Sequence, residues 1–380
     1  MKTEAIFIGH FSPPTPLDEI RYLRGMTDFI IDAQNSNRYA VKVKESSGFT
    51  VYCFSTPIYH AETGRIIQLS LIPTPTGFSF CGTNARLSVC QNRCVLENRE
   101  GKITLVLPES PAAFGTKKAE CSTLVIKPTL NGFLLTARKR NLIFSLESEG
   151  QQSGIRVSPN CFSVMREEFR PFCSLAALTA LQESSRQPVL IRQEEIGKHF
   201  YRIEIGNEQA DLISFEINLY EPKLFQDTPL ESLHPDVNNA FGAMAFLGKT
   251  RAFGEQWLYT RPDFSKIKEF CTDRIKKAIL NIPVFGESTG KLEISAPATR
   301  FCSFGSTWNK KVSPAGSAFV AGTGGRFLSL DVSEAFTNKR THTLAYNEGL
   351  ILRATGKKNR PVAISTGDCY AAPQILELKF

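Results

Sequence analysis

Between residues 39 and 107, apolar and polar side chains alternate in short runs. They are Tyr39-Ala40-Val41-Lys42-Val43-Lys44, Phe49-Thr50-Val51-Tyr52-Cys53, Ile66-Ile67-Gln68-Leu69-Ser70-Leu71, Phe78-Ser79-Phe80 and Ile103-Thr104-Leu105-Val106-Leu107. A period of two puts every second residue on one face, so these runs predict β-strands. Turn formers separate them at Glu62-Thr63-Gly64, Pro73-Thr74-Pro75-Thr76-Gly77, Asn98-Arg99-Glu100-Gly101 and Asn131-Gly132. Strands at this spacing, punctuated by Gly and Pro, predict a sandwich, barrel or meander. The pattern continues at Val189-Leu190-Ile191, Phe200-Tyr201-Arg202-Ile203-Glu204-Ile205 and Leu212-Ile213-Ser214-Phe215-Glu216-Ile217.

Two segments carry a helical pattern instead. Over residues 16–33, Thr15 can cap, Pro16 suits the first helical position, and Asp18 completes a capping box. Leu17, Ile20, Leu23, Phe29 and Ile30 follow at helical spacing. Over 174–185, Leu175, Leu178 and Leu181 form an i, i+3, i+6 stripe after Ser174. A polar, Pro-rich passage then runs from Glu221-Pro222 to His234-Pro235-Asp236. The expected division is therefore a β-rich domain over 1–218 and a second β domain over 219–380. No internal repeat of about 20–50 residues is visible, which argues against a propeller or solenoid.

Length and composition agree with this picture. A chain of 380 residues is long enough for two domains. With 42% apolar and 22% charged residues it is not disordered, collagen-like or coiled-coil. The 28 Phe against 2 Trp and 9 Tyr predict cores anchored by a ring with no polar group needing a partner.

The net charge of +8 is scattered, and its longest basic run is Arg138-Lys139-Arg140. A nucleic-acid surface concentrates its charge on one element, so no nucleic-acid partner is expected. Attraction to an acidic polymer such as a polysaccharide, teichoic acid or phosphate surface stays open. No apolar run approaches the ~20 residues of a membrane span, so no membrane insertion is expected. Met1 to His10 holds an apolar stretch of about four residues, short of the ~7–15 of a signal-peptide core.

The ten cysteines are dispersed with no C-x-x-C pair. Cys90 and Cys94 alone approach a ligand spacing and have no nearby His, so no metal site is expected. Unpaired thiols predict a reducing compartment or an anaerobic exterior.

No catalytic pattern survives its physical context. Ala243-Met244-Ala245-Phe246-Leu247-Gly248-Lys249-Thr250 fits a loose phosphate-loop pattern, but its interior is bulky and no helix signal follows. Gly322-Thr323-Gly324-Gly325 lacks the strand-turn-helix setting of a dinucleotide site and predicts a hairpin loop. His10, His60, His199, His234 and His342 show no ligand spacing, and Glu167-Glu168 and Glu194-Glu195 are neighbours that a strand points to opposite faces. The expectation is a protein without enzymatic activity and without a cofactor.

Ordered motifs in the second half carry a resemblance. They are Asp227-Thr228, then His234-Pro235-Asp236-Val237-Asn238-Asn239-Ala240-Phe241-Gly242, the strand Met244-Ala245-Phe246-Leu247-Gly248, Arg261-Pro262-Asp263-Phe264-Ser265 and Ile275-Lys276-Lys277-Ala278-Ile279-Leu280. Trp308-Asn309, Asp331-Val332-Ser333, Asn347-Glu348-Gly349-Leu350-Ile351-Leu352 and Pro373-Gln374-Ile375-Leu376-Glu377-Leu378 complete the series. In this order, residues 219–380 resemble the disaggregatase-related repeat family known as DNRLRE, which is related to the family 96 carbohydrate-binding modules. Pro262 stands where that family has an inward aromatic, and Phe301 or Phe304 replaces a tryptophan upstream of Trp308. Ser55-Thr56-Pro57-Ile58-Tyr59 and Glu62-Thr63-Gly64-Arg65 are similar to a hairpin in the β-rich region that precedes such modules in large bacterial surface proteins with RHS-type repeats. That hairpin's tryptophan is absent here.

The expected fold is therefore mainly β, with two β-rich domains, the C-terminal one a jelly-roll-like sandwich, and a few short helices. The resemblance implies a bacterial surface or structural protein, extracellular or on the cell surface of an anaerobe. Its sandwich would bind a polysaccharide or cell-envelope polymer, or mediate adhesion. Trp257, Tyr259, Trp308, Tyr346 and Tyr370 are the aromatic residues available for a sugar platform. The alternatives are a self-assembling subunit of a filament, coat or appendage, joined through edge strands, and an unrecognised polysaccharide-degrading enzyme.

Overall fold

The computed structural model describes residues 19–20, 22–23, 30–31, 37–45, 47–60, 65–66, 70–81, 85–167, 169–182, 185–270, 274–285, 291–322, 326–336, 348–355 and 361–380. The protein is mainly β, with antiparallel sheets and a few short helices. Its described residues fall into two units. One is Gln68–Glu221 with Phe241–Ala243; the other is Pro14–Ile67, Pro222–Ala240 and Met244–Phe380. The stretch 14–67, expected with the first domain, thus belongs to the second. The reason is pairing: Gly48–Phe54 lies antiparallel to Ile375–Lys379, with Val51 opposite Leu378 and Cys53 opposite Leu376.

The first unit is a sandwich of two sheets. One runs in the order Leu190–Gly197, Phe200–Gly206, Asn141–Gly150, Gly101–Val106, Arg93–Asn98, Arg86–Cys90, Gly77–Cys81, Ser70–Thr74. The other runs Ala112–Ala113, Leu124–Pro128, Gly132–Ala137, Leu212–Leu219, Arg170–Gln182, Cys161–Glu167, Gly154–Ser158, with Ser185–Gln187 beside Arg170–Gln182. Asn141–Gly150 shows the alternation plainly: Leu142, Phe144 and Leu146 are buried while Asn141 and Ile143 are exposed. Across the sandwich Phe144 stacks on Phe215 with centroids 5.6 Å apart, and Phe162 meets Tyr201 edge-on at 5.1 Å.

The central strands of this unit's second sheet are buried on both faces, and there the alternation fails. Gly132–Ala137 and Leu212–Leu219 are buried throughout. Thr136 and Ser214 on these two strands share a hydroxyl hydrogen bond of 3.0 Å, and Ser163 and Ser174 on the neighbouring strands one of 2.9 Å. Of the helix expected over 174–185, residues 174–182 are instead part of the strand Arg170–Gln182 and Ser185 opens the strand Ser185–Gln187, while 183–184 lie outside the described residues. Leu175 pairs opposite Ile217 and Ala177 opposite Phe215, and the register then slips before Ala180. Such a bulge shifts the phase of the strand, which lets Leu178 join Leu175 among the buried residues. The three-residue leucine spacing is therefore a bulged strand's pattern and not a helix's.

The second unit is also a sandwich. One layer is Ile30–Ile31, Ala40–Glu45, Gly48–Phe54, Ile375–Lys379, Lys277–Phe285 and Phe327–Asp331. The other is Phe225–Glu231, Gly254–Pro262, Leu350–Thr355, Lys291–Pro297 and Pro314–Gly322. The interior between them holds Val51, Leu280, Ile282, Leu328, Leu376 and Leu378 from the first layer, and Leu258, Leu292, Ile294, Leu350 and Leu352 from the second.

Two strands turn the corner between the layers. Lys277–Phe285 pairs with Ile375–Lys379 at one end and, through Val284 and Phe285, with Val362–Ser365 at the other. Met244–Thr250 pairs with Val362–Ser365 as far as Leu247, and from Gly248 onward with Gly254–Pro262. Gly248 sits at that change of partner with φ +115°, a backbone region closed to most side chains. The Gly-Lys-Thr sequence is thus the end of a hairpin strand.

Of the helix expected over 16–33, residues 19–20 and 22–23 are helical, whereas Ile30–Ile31 is a strand; the rest lies outside the described residues. Ile20 joins Val41, Val43, Tyr52, Phe54 and Ile375 in a cluster on the first layer. Glu19 pairs with Arg326. Tyr59–His60 and Arg65–Ile66 pair as a hairpin.

Candidate functional site

Trp257 and Tyr259 are two residues apart on Gly254–Pro262, so they share a face, the one turned away from the sandwich interior. Leu230 lies opposite Trp257 and Ile351 opposite Tyr259 on the neighbouring strands. A segment around residues 301–312 packs over this face through Phe301, Trp308 and Val312. Tyr259 is fully buried, and its hydroxyl donates to the carbonyl of Val312. Burial pushes its phenol up to about 12. Tyr259 therefore anchors the covering segment and offers no surface to a ligand.

Trp257 and Trp308 form the outer part of the same cluster. Their rings meet edge to face at 5.4 Å and 64°. Trp257 is 9% exposed and donates its Nε1–H to Glu255 at 2.8 Å, while Trp308 is half-buried. Two cations cap the rings. The Lys311 ammonium stands 4.2 Å from the Trp308 centroid and 5.8 Å from that of Trp257. The Arg353 guanidinium is 5.4 Å from Trp257 and bonds Glu293 through Nε at 2.8 Å. Among the described residues no carboxylate pairs with Lys311, whose ammonium also bonds the Trp308 carbonyl at 3.2 Å.

With a cation over its face, the Trp308 ring is not a bare platform for the apolar face of a neutral sugar. It is an aromatic wall with a positive charge held against it, an arrangement that matches a ring bearing a carboxylate or sulfate. Of the other aromatic candidates, Tyr370 is half-buried beyond Ser365 and outside this cluster, and Tyr346 lies outside the described residues.

Charged groups that the sequence did not bring together converge inside the same unit. The Lys223 ammonium contacts Asp227 at 3.0 Å, Asp368, and the carbonyl of Ala240 at 3.2 Å. Lys223, Asp227 and Asp368 are all buried. Asp227 also accepts the backbone N–H of Gly367. A Cβ at Gly367 would lie 3.1 Å from both Asp227 carboxylate oxygens, so glycine there admits the carboxylate. Lys223 and Asp368 are 145 positions apart, beyond the reach of any local motif.

Nearby on the edge strand Phe225–Glu231, the fully buried Glu231 lies 2.8 Å from His234 Nδ1 and accepts from Gln256 Nε2 at 3.5 Å. Burial is the main cause that lifts its carboxyl from 4.5 to about 8, against the opposing bonds from Gln256 and Asn239. Between those two values the unfolded chain has released this proton and the folded chain retains it. Stability should therefore fall as pH rises through the window, by up to about 1.4 kcal/mol per pH unit, and level off above the folded value. Glu231→Gln should flatten that slope. Urea midpoints at pH 5 and pH 8 check this, and equal slopes in wild type and variant would refute it.

The carboxylate neighbours noted in the sequence do not form a site. Glu194 and Glu195 are exposed on the edge strand Leu190–Gly197, and Glu167 is exposed while Glu168 lies outside the described residues. Cys94 is buried and Cys90 exposed, on opposite faces of one hairpin, and burial pushes the Cys94 thiol up to about 12. Among the described residues no group of three or more His, Cys, Asp or Glu could hold a metal ion, and no helix is long and apolar enough to cross a membrane.

Fold and site together define a mainly β protein of two sandwich-like units, the second of which carries a capped tryptophan pair. No protein-family model and no curated protein sequence matches the chain.

Proposed function

We propose that the chain is a non-catalytic bacterial surface or structural protein whose second sandwich binds an acidic polysaccharide or cell-envelope polymer. The observation that carries this reading is the Lys311 ammonium, held against Trp308 and Trp257 with no carboxylate partner among the described residues. The resemblance of residues 219–380 to DNRLRE modules supports the same class of ligand. A uronic or sulfated sugar would place its anion on Lys311 and its ring edge against Trp308, with Arg353 set back behind Glu293.

Affinity electrophoresis through gels loaded with polyuronate, sulfated or neutral polysaccharide tests it. Retardation is expected with the acidic polymers, weakening as salt screens the contact. Lys311→Ala should lower affinity about tenfold, the loss of one charge-assisted contact of about 1.4 kcal/mol. Trp308→Ala should lower it by a similar factor. Retardation by neutral polymers alone, or none by any polymer, would refute the reading.

The assembly alternative meets an obstacle at four of the edge strands. Leu190–Gly197 carries exposed Arg192, Glu194 and Glu195; Ser70–Thr74 carries Pro73; Phe225–Glu231 carries Pro229; and Pro314 opens Pro314–Gly322. Charge and proline on edge strands hinder strand addition by another chain. For the enzymatic alternative, the described carboxylates that converge, Asp227 and Asp368, close on a lysine in a buried setting.

A further inference from the structure

The Lys223–Asp227–Asp368 cluster holds an amine and two carboxyl groups in mutual contact inside the second unit. Fully ionised, it would carry one positive and two negative charges away from water. Burial of that kind favours the state with the fewest charges. Burial is the largest influence on Asp368 and raises its carboxyl well above the ordinary range; the Asp227 charge adds to this and Lys223 opposes it. Asp227 accepts the Gly367 N–H as well as contacting Lys223. Moving a proton from the ammonium to Asp227 leaves a neutral amine touching a neutral carboxylic acid. These are the two partners of an amide condensation, already in contact.

We propose that Lys223 and Asp368 are joined by an intramolecular isopeptide bond, formed as the second unit folds, with Asp227 relaying the proton. The Lys223 Nζ lone pair attacks Asp368 Cγ, and an Nζ–Cγ bond forms. Asp227 passes the proton it took from the ammonium to the departing Asp368 oxygen and takes a second one from the nitrogen. The Cγ–O bond breaks and one water molecule leaves. Nothing is oxidised or reduced, and no co-reactant is needed. In the product the amide N–H remains within reach of Asp227 or the Ala240 carbonyl, the two further partners that Nζ already has. The proposal does not depend on what the tryptophan patch binds.

A retained ion pair is the rival, because Asp227, Asp368 and the Ala240 carbonyl satisfy the three N–H donors of an ammonium. Mass separates the two. The full chain, reduced and denatured, is measured by intact mass spectrometry and then digested with trypsin. The expected mass is one water below that of the sequence. The digest should contain a branched peptide joining the segment with Lys223 to the segment with Asp368, uncut after Lys223. Asp227→Asn, folded by circular dichroism, should have the full sequence mass and an ordinary cleavage after Lys223. A wild-type chain at the full mass would overturn the proposal. So would a water loss that maps elsewhere, or one that persists unchanged at this pair in Asp227→Asn, which would remove Asp227 from the chemistry.

Discussion

Replacing Phe215 by alanine should destabilise the first sandwich by about 3–5 kcal/mol, the range for truncating a fully buried Phe. Phe215 has no exposed surface and stacks on Phe144 at 5.6 Å with their planes 8° apart, one ring from each sheet. The cavity would open between the layers, where Leu135, Ile217 and Ile203 are held in rigid strands and can collapse only partly. Phe215→Leu keeps most of the volume and should cost less than about 1.5 kcal/mol. The Phe144→Ala, Phe215→Ala double variant should show a coupling of about 0.5–1.5 kcal/mol, the part owed to the ring pair. Urea unfolding of the wild type, Phe215→Leu, the two single alanine variants and the double variant measures this. An alanine variant with the wild-type midpoint would show that the two sheets do not meet through these rings.

The second large effect is expected at Gln256. Where Met244–Thr250 leaves one layer for the other, its neighbour Gly254–Pro262 no longer reaches Phe246 with its backbone. The Gln256 side chain fills that place: its Oε1 accepts the Phe246 N–H, and its Nε2 donates toward Glu231. Gln256 is fully buried, so no water substitutes. Leucine at this position has about the same bulk and no polar atoms. It would orphan a buried N–H and remove a donor from a buried carboxyl, each costing about 1–3 kcal/mol. Gln256→Leu should therefore lose roughly 2–4 kcal/mol, and the Phe246 amide should lose most of its protection from hydrogen exchange. Unchanged protection at Phe246 would mean that another acceptor serves this corner.

The sequence exposed those features of the fold that repeat locally. Alternation in Asn141–Gly150 and Phe200–Gly206 is visible because one face of that sheet is wet. Over residues 171–178 both faces of the strand are largely buried and a bulge then shifts the phase, so three leucines imitate a helix. Pairing partners are invisible to local pattern, which is why residues 14–67 read as part of the first domain. Residue type alone brought Trp257, Tyr259 and Trp308 together as candidates, and they do share one cluster. What type could not tell was that Tyr259 is sealed beneath Val312 or that Lys311 sits on the Trp308 ring. The Lys223 cluster was not legible as a cluster: Asp227 stood in the motif series, but nothing local tied it to Lys223 or to Asp368, which lies 145 positions from that lysine.

The pairing of Gly48–Phe54 with Ile375–Lys379 also sets a timetable for synthesis. Ser55 and Gln374, beside these two strands, are 319 positions apart. At ribosomal rates of about 5–20 residues per second, the early hairpin of Ala40–Glu45 and Gly48–Phe54 waits roughly 15–65 s for its missing neighbour. All of 68–221 is made in that interval, so its own sheets can close first. During the wait one edge of Gly48–Phe54 stands open, beside a hairpin strand bearing Lys42 and Lys44, charges of the kind that discourage pairing with another nascent chain. A stop codon just before Ile375 would leave Gly48–Phe54 and Lys277–Phe285 with unmatched edges at once, so this layer closes only when Ile375–Lys379 has been made.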